Sequence, residues 1–339
     1  FVPPALLLPL FLARLSRPAE LAGPRIEPSP MSQVPPPADK QAVISISSHV
    51  ARGTVGNRAT VFALESLGYP VWSVPTVTLP WHPGHGPSTR ILPEPEAFAA
   101  FCADLARSPW LGEVGAVITG YFGAPKQVEA AAALVDAVKR VNPQAIFLCD
   151  PVLGDKPEGG AREGEGGEEG GRLYQPEATL VAIRDLLIPR ADIAVPNRFE
   201  LEFLTGLEFA DNAQLVEGAS ALGPSSVVVT SAFPFLRGGI GNLLVEDGAA
   251  ILAEHRRIEG VPNGLGDLTG AVFLARRLAG VRGEKALQST TAAVFEILAR
   301  TTKRGKDELT LETDADSLKT PMAMVQMRRL SMPGGNRRA

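Results

Sequence analysis

Short apolar segments alternate with longer amphipathic segments through most of this chain. The short segments are rich in Val, Ile and Leu, which is typical of buried strands. The predicted strands are 42–46, 69–77, 114–119, 145–149, 192–195 and 226–229. The predicted helices are 58–67, 94–106, 125–141, 177–187, 212–222, 268–279 and 283–299, with another beginning near 198. This alternation predicts an α/β domain with a mostly parallel sheet and helices on both faces.

The pattern changes at three places. Residues 47–57 are mostly polar and contain two glycines, so a turn is predicted after the first strand. Residues 242–245 and 250–258 are apolar with no helix between them, which predicts an antiparallel pair joined near Asp247 and Gly248. The last part of the chain is polar, and residues 322–330 predict a terminal strand.

Two segments have compositions that do not favour a packed core. Residues 1–40 are rich in proline, and their apolar stretch at 6–12 is too short to cross a bilayer and has no basic segment before it. They predict a disordered or non-native extension with Met31 as a candidate start, or else a targeting or tail segment. Residues 159–171 consist almost wholly of Gly and Glu and predict a mobile surface loop. The predicted division is an extension at 1–40, a domain at 41–305 containing this insert, and a polar tail at 306–339.

Composition narrows the classes of function. The 339 residues include 45% hydrophobic residues, enough for a full core, and carry a net charge of −4. That charge does not favour nucleic acid as a partner. The two cysteines lie singly in apolar segments, which favours a reducing cytoplasm, and the four histidines show no metal-binding spacing.

Polar residues follow several predicted strands directly. They are Ser47-Ser48-His49, Gly120-Tyr121, Asp150, Asn197 and Thr230-Ser231. In an open parallel sheet, ligands bind at the carboxyl ends of the strands. The sequence therefore predicts one site along one edge of one sheet.

A glycine-rich turn precedes the predicted helix at 268–279. It reads Gly264-Leu265-Gly266-Asp267. Such a turn can direct free backbone N–H groups at an anion, and a carboxylate there can take a proton from a hydroxyl that attacks a phosphoryl group. By itself, such a turn is more often an ordinary helix start with an acidic first turn.

Several motifs together, in order, resemble those of pyridoxal kinases. They are Ser45–Asn57, Asp150-Pro151-Val152-Leu153-Gly154-Asp155, Pro196–Gly206, Val228–Ser231 and the Gly-Leu-Gly-Asp turn. The resemblance covers about residues 42–300. It implies a ribokinase-like three-layer α/β/α sandwich with a mostly parallel central sheet. It also implies ATP-dependent phosphorylation of the 5′-hydroxymethyl group of pyridoxal, pyridoxine or pyridoxamine.

The resemblance implies a role for each motif residue. The general base is Asp267, with Gly264 and Gly266 forming an anion hole. Substrate-binding residues are Ser48, His82 and Tyr121. Nucleotide-binding residues are Asp150, Asp155, Asn197, Thr230, Ser231 and Leu265, with Tyr174 near the nucleotide. The Mg²⁺ residues are Asp150 and Glu200. The residue types alone also fit caps, turns and core edges at these positions.

Beyond these residues, the resemblance implies ATP as co-substrate, Mg²⁺, a stimulating K⁺ or Na⁺, a cytoplasmic homodimer, and neither nucleic-acid nor membrane partners. Two departures keep other functions open. Trp81-His82-Pro83-Gly84 stands where many members have Asn-His-Thr-Gly, so Pro83 removes a hydroxyl and an N–H donor, and Leu265 replaces a threonine. The alternatives are a related kinase of a hydroxymethylpyrimidine type and a non-catalytic protein that binds pyridoxal phosphate.

Overall fold

The computed structural model describes residues 40–155 and 172–332. The predictions for the proline-rich extension and for the insert at 159–171 lie outside the described residues. The strands are β1 (Ala42–Val50), β2 (Val71–Leu79), β3 (Val114–Thr119), β4 (Ile146–Cys149), β5 (Gly154–Asp155), β6 (Arg172–Leu173), β7 (Ile193–Ala194), β8 (Ser226–Ala232), β9 (Gly239–Glu246), β10 (Ala249–Arg256) and β11 (Gln326–Leu330).

Helices fill most of the connections between these strands. They are α1 (Asn57–Ser66), α2 (Pro95–Ala106), α3 (Pro125–Val141), α4 (Glu177–Ala182), α5 (Arg198–Thr205), α6 (Asn212–Ala221), α7 (Leu265–Leu278), α8 (Gly283–Lys303) and α9 (Leu311–Lys319). Within the described residues, no helix combines the length and apolar character needed to cross a membrane.

The main sheet has the strand order β11-β10-β9-β8-β7-β4-β3-β1-β2. The strands from β2 to β8 in this order are parallel, and β9, β10 and β11 extend the sheet with antiparallel pairs. The predicted hairpin is confirmed: β9 and β10 are joined by Asp247 and Gly248, which both have positive φ, at 51° and 70°. Such a turn matches the twist of the two strands.

Alternate side chains of each strand supply two separate cores. Phe147 and Cys149 of β4 point into the layer that contains α2 to α6, whereas Leu148 points into the layer of α1, α7, α8 and α9. The same alternation places Val227 and Val228 of β8 in opposite layers. The predicted three-layer α/β/α sandwich is therefore confirmed.

The first strand is longer than predicted. Residues Ser47 to Val50 were expected in a turn, but they continue β1 beyond an irregularity in its pairing with β2. The extension persists because Val50 packs with Val55, Val77 and Leu79 in a small apolar cluster. This cluster lies at the carboxyl ends of β1 and β2, the edge of the sheet at which the candidate site lies.

The polar C-terminal residues complete the fold. Leu309, Leu311 and Leu318 are buried in the core beside α7 and α8, and β11 pairs with β10. The predicted terminal strand at 322–330 is thus formed by Gln326–Leu330. We propose that the folded domain extends to about residue 330 and does not end near 305.

Leu318→Ala tests this extension of the domain. Leu318 is fully buried, so the free energy of unfolding should fall by about 2–5 kcal/mol in urea denaturation. The control, Leu207→Ala, removes a side chain that is 52% exposed and should change stability by less than about 0.5 kcal/mol. Equal effects of the two substitutions would contradict the integration of α9 into the core.

Candidate active site

Residues from separate strands meet at the carboxyl edge of the sheet. One pocket is lined by Ser45, Ser47, Thr60, Ile118, Thr119, Gly120, Asp150 and Asp267. These residues come from β1, α1, the end of β3, the end of β4 and the first turn of α7. The structure therefore brings together the strand ends and the glycine-rich turn, as expected for an open parallel sheet.

The glycine-rich turn forms the N-terminus of α7. Gly264 is the N-cap residue, has a φ of 94° and offers no side chain to cap the helix. A Cβ at Gly264 would overlap the carbonyl oxygen of Thr54, so only glycine fits this position. The first N–H groups of a helix have no acceptor within the helix. Those of Leu265 and Gly266 therefore suit an anion, and the loss of a threonine hydroxyl at 265 does not affect them.

Asp267 lies two residues after the helix start. Burial raises the pKa of this carboxyl to about 6, and hydrogen bonds from the backbone N–H groups of Gly56 and Asp267 itself act in the opposite direction. Near neutral pH, the carboxylate is thus ionised while its proton affinity is higher than that of an exposed aspartate. Both properties suit a general base.

The loop before α1 holds the N–H group that Asp267 accepts. A Cβ at Gly56 would overlap Ser48, so Gly56 packs directly on the predicted substrate serine. The next residue, Asn57, accepts a hydrogen bond from Ser45 Oγ at 2.7 Å and donates to the carbonyl oxygens of Ser47 and Val74 at 3.0 and 3.2 Å. Asn57 has no role that the motifs imply, although an amide after a glycine at a helix start is a signal for such bonding.

Asp150 and Glu200 are two further buried carboxylates of the candidate site. The pKa of Asp150 is raised well above its usual value by burial and by the charges of Glu200 and Asp267. Asp150 Oδ2 lies beside Gly270, one helical turn after Asp267. Burial likewise raises the pKa of Glu200 to about 7.

Glu200 has a different environment from Asp150. Its Oε1 accepts the Leu153 N–H at 2.8 Å and its Oε2 accepts the Asn197 N–H at 2.7 Å. Asn197 Oδ1 in turn accepts the Glu200 N–H at 2.8 Å, which completes a capping box at the start of α5. Both carboxylate oxygens of Glu200 thus bind backbone, which leaves Asp150 as the better placed of the two proposed Mg²⁺ residues.

The remaining predicted nucleotide residues lie along the next strand ends. Asn197 donates to the Gly154 carbonyl at 2.8 Å, and Thr230 donates its N–H to the Pro196 carbonyl at 2.9 Å. Ser231 has a φ of 56°, unusual for a residue other than glycine, at an irregularity in the pairing of β8 with β9. Thr230 and Ser231 remain partly exposed at this edge.

Asp155 and Tyr174 lie at the antiparallel pair of β5 and β6. Tyr174 follows β6 and donates its N–H to the Leu153 carbonyl at 2.9 Å. Burial, together with the charge of Asp155 and a hydrogen bond to it, raises the pKa of the Tyr174 hydroxyl. The two residues that the motif places near nucleotide are therefore partners of each other.

The predicted substrate residues lie at the carboxyl ends of β1, β2 and β3. The Tyr121 N–H donates to Ser47 Oγ at 3.1 Å, and the Tyr121 hydroxyl accepts from Arg90 at 2.8 Å. His82 Nδ1 accepts the Gly84 N–H at 3.1 Å and caps the short turn that begins at Pro83. Burial lowers the pKa of His82, so the neutral ring keeps Nε2–H as a donor.

No ready-made metal centre is found in residues 40–155 and 172–332, where no group of three His, Cys, Asp or Glu side chains could hold an ion. The buried carboxylate of Asp150 nevertheless fits Mg²⁺. Hard cations prefer oxygen ligands and often bind through few protein groups together with phosphates. The neighbouring acids that raise the Asp150 pKa would favour a bound cation.

The sequence of this chain is similar to those of known kinases. Residues 113–312 match the phosphomethylpyrimidine kinase family. Pyridoxal kinase PdxY of Rubrobacter xylanophilus is 34% identical over 298 residues, which are 85% of this chain and 97% of that protein. The chain belongs to the pyridoxal kinase family. Pyridoxal kinase PdxY of Leifsonia xyli is 33% identical over 85% of this chain and 99% of that protein. The resemblance drawn from the motifs is thus confirmed.

Solved pyridoxal kinases share the fold. The enzyme from Entamoeba histolytica has a TM-score of 0.75 and 25% identity, covering 86% of this chain and 100% of that one. Pyridoxal kinase from Leishmania donovani, in complex with ADP and pyridoxine, has a TM-score of 0.75 and 27% identity, covering 85% and 99%.

Two glycine substitutions test the backbone strain at the glycine-rich turn of this pyridoxal kinase family member. Gly264→Ala should lower the free energy of unfolding by at least about 1–3 kcal/mol, because its φ is positive and Thr54 blocks a Cβ. Gly266→Ala should not destabilise the unliganded protein, since a Cβ there meets nothing within 4 Å. Urea denaturation of both variants measures the difference. A Gly266→Ala protein as unstable as Gly264→Ala would show that the turn is packed differently.

Proposed function

We propose that this protein transfers the γ-phosphoryl group of ATP to the 5′-hydroxymethyl group of pyridoxal, pyridoxine and pyridoxamine. The observation that carries the proposal is the Asp267 carboxylate, partly buried in the first turn of a helix whose N–H groups are open to an anion. The proposal is supported by relatives named pyridoxal kinase and by the Leishmania donovani enzyme in complex with ADP and pyridoxine.

The reaction needs a base and a site for the phosphoryl charge. In our proposal, Asp267 accepts the hydroxyl proton as the substrate oxygen forms its bond to the γ-phosphorus. The bond between that phosphorus and the β,γ-bridging oxygen breaks, and ADP leaves with the bonding electrons. The N–H groups of Leu265 and Gly266 stabilise the charge on the transferred group, as backbone donors do at helix N-termini.

In this proposal, the vitamer and the nucleotide bind to different residues at the carboxyl edge of the sheet. Ser48, His82 and Tyr121 bind the pyridine ring, with His82 Nε2–H available as a donor. Asn197, Thr230, Ser231 and Asp155 lie toward the nucleotide. Asp150 would hold Mg²⁺, which supplies positive charge against the phosphates. Glu200 supports it by fixing the backbone that follows β4. A K⁺ or Na⁺ activator, a homodimer and a cytoplasmic location stay predictions.

A second candidate is the phosphorylation of a hydroxymethylpyrimidine. The family match carries the description phosphomethylpyrimidine kinase, and Pro83 alters the substrate loop. Turnover of pyridoxal and of hydroxymethylpyrimidine at equal concentrations distinguishes the two. The proposal expects at least a tenfold preference in kcat/KM for pyridoxal, and the reverse preference would contradict it.

Asp267→Asn tests the proposed base. The rate of pyridoxal phosphate formation, measured from the absorbance of the product, should fall by about 10²–10⁴-fold because the amide cannot accept the proton. For the unaltered protein, kcat/KM for pyridoxal should be retained above pH 6 and lost as the pH falls through about 6. This sign follows because the raised pKa leaves Asp267 protonated, and unable to act, below that value.

The control for this test is Asp185→Asn. Asp185 is an exposed acid paired with Arg184, so its amide should keep full activity and the same pH profile. Full activity of Asp267→Asn would refute the assignment of the base. Pyridoxal binding without turnover in the unaltered protein would instead support a non-catalytic binding protein.

A further inference from the structure

Glu308 lies in the connection between α8 and α9, within the segment predicted as a polar tail. Its side chain is only 13% exposed. Oε1 lies 2.8 Å from His85 Nε2 and 3.6 Å from an Arg52 guanidinium nitrogen, and Oε2 accepts the Thr54 N–H at 3.3 Å. One shielded carboxylate thus joins two loops that are distant in sequence.

The first of these loops leads to the proposed base. The Thr54 carbonyl lies against the Gly264 backbone at the start of α7, and the Gly56 N–H donates to the Asp267 carboxylate. Leu309 strengthens the attachment, because its N–H donates to Thr54 Oγ1 at 3.1 Å. Any displacement of this loop would change the surroundings of Asp267.

The second loop, residues 81–86, carries His82. His85 ends the short turn that His82 caps. The Gly84 backbone lies close to the Asn263 side chain, just before the glycine-rich turn. A contact at His85 therefore fixes the loop that holds a proposed substrate residue. The Trp81 indole donates to the Gly86 carbonyl at 3.2 Å, which makes this loop a unit.

We propose that Glu308 is a positioning residue for vitamer binding, which joins the loop at 52–56 to the loop at 81–86 across the substrate side of the site. This inference rests on the proposed function. Removal of the carboxylate leaves the Thr54 N–H and His85 without this partner and frees both loops. The neighbouring pair of Arg52 with Asp307 is more than half exposed, so it substitutes poorly for Glu308.

The expected effect is selective for one ligand. None of the proposed nucleotide-binding residues belongs to the loop at 52–56 or to the loop at 81–86. Glu308→Ala should therefore raise the Kd for pyridoxal about tenfold and leave the Kd for ADP within twofold. Glu308→Gln keeps an acceptor for the Thr54 N–H and should raise the pyridoxal Kd less than threefold.

The experiment is a calorimetric titration of the full chain with pyridoxal and, separately, with ADP. Asp314→Asn is the matched control, because Asp314 is a buried carboxylate of the same C-terminal segment that pairs with Arg304 instead of either loop. It should lower thermal stability without changing either Kd. His85→Ala should raise the pyridoxal Kd, and the addition of Glu308→Ala to it should raise the Kd by less than the product of the two single effects.

The outcomes separate this inference from the proposed function. If the unaltered protein does not bind pyridoxal, the proposed function fails. If it binds pyridoxal and Glu308→Ala binds equally well, the positioning role is refuted. An equal loss of pyridoxal and ADP binding in Glu308→Ala, or a shift of the pyridoxal Kd in Asp314→Asn, would also refute it, because each indicates a general structural effect. A Glu308→Ala protein that does not fold leaves Glu308→Gln and His85→Ala to decide, and unchanged pyridoxal binding in His85→Ala contradicts the inference.

Discussion

The close packing of the Thr54 carbonyl against the Gly264 backbone is the constraint on which the candidate site depends. A side chain at Gly264 would separate the two loops, and the α7 N-terminus would then move away from the loop before α1. That loop supplies the Gly56 N–H to Asp267. The direction of the open N–H groups and the environment of the proposed base therefore both depend on this backbone contact.

The second constraint is the concentration of negative charge at the same edge. Asp150, Glu200 and Asp267 all have raised pKa values, mainly because burial disfavours their charged forms. Backbone N–H groups compensate Glu200 and Asp267 in part. Asp150 has the least compensation, which fits its proposed role beside a cation and phosphates. The mutual repulsion of these carboxylates is unfavourable for folding, and it occurs where the proposed reaction needs a base and a cation ligand.

The layers of the fold could be predicted from the sequence, but the residues that hold the site in position could not. Strands such as 145–149 were predictable because their side chains are buried on both faces. The continuation of β1 to Val50 was not, because Ser47 and Ser48 look like turn residues until β2 is present to pair with them. Asp267 could be proposed as the base only because its turn occurs together with the other motifs. Glu308 was not, since its partners precede it by more than two hundred residues and charged residues around it resemble a solvated tail.

The Asp150–Asp155 motif shows how a sequence signature can encode positioning as well as contact. Val152 has a φ of 43°, a strained conformation for a β-branched residue, yet its N–H is the one that Asp150 accepts. Gln175 holds the Val152 carbonyl at 3.0 Å and Glu200 holds the next N–H at 2.8 Å. Contacts on both sides therefore maintain the strained residue. Glu200 thus fixes the backbone between Asp150 and Asp155, a structural reason for a glutamate in the motif although both of its carboxylate oxygens accept backbone N–H groups.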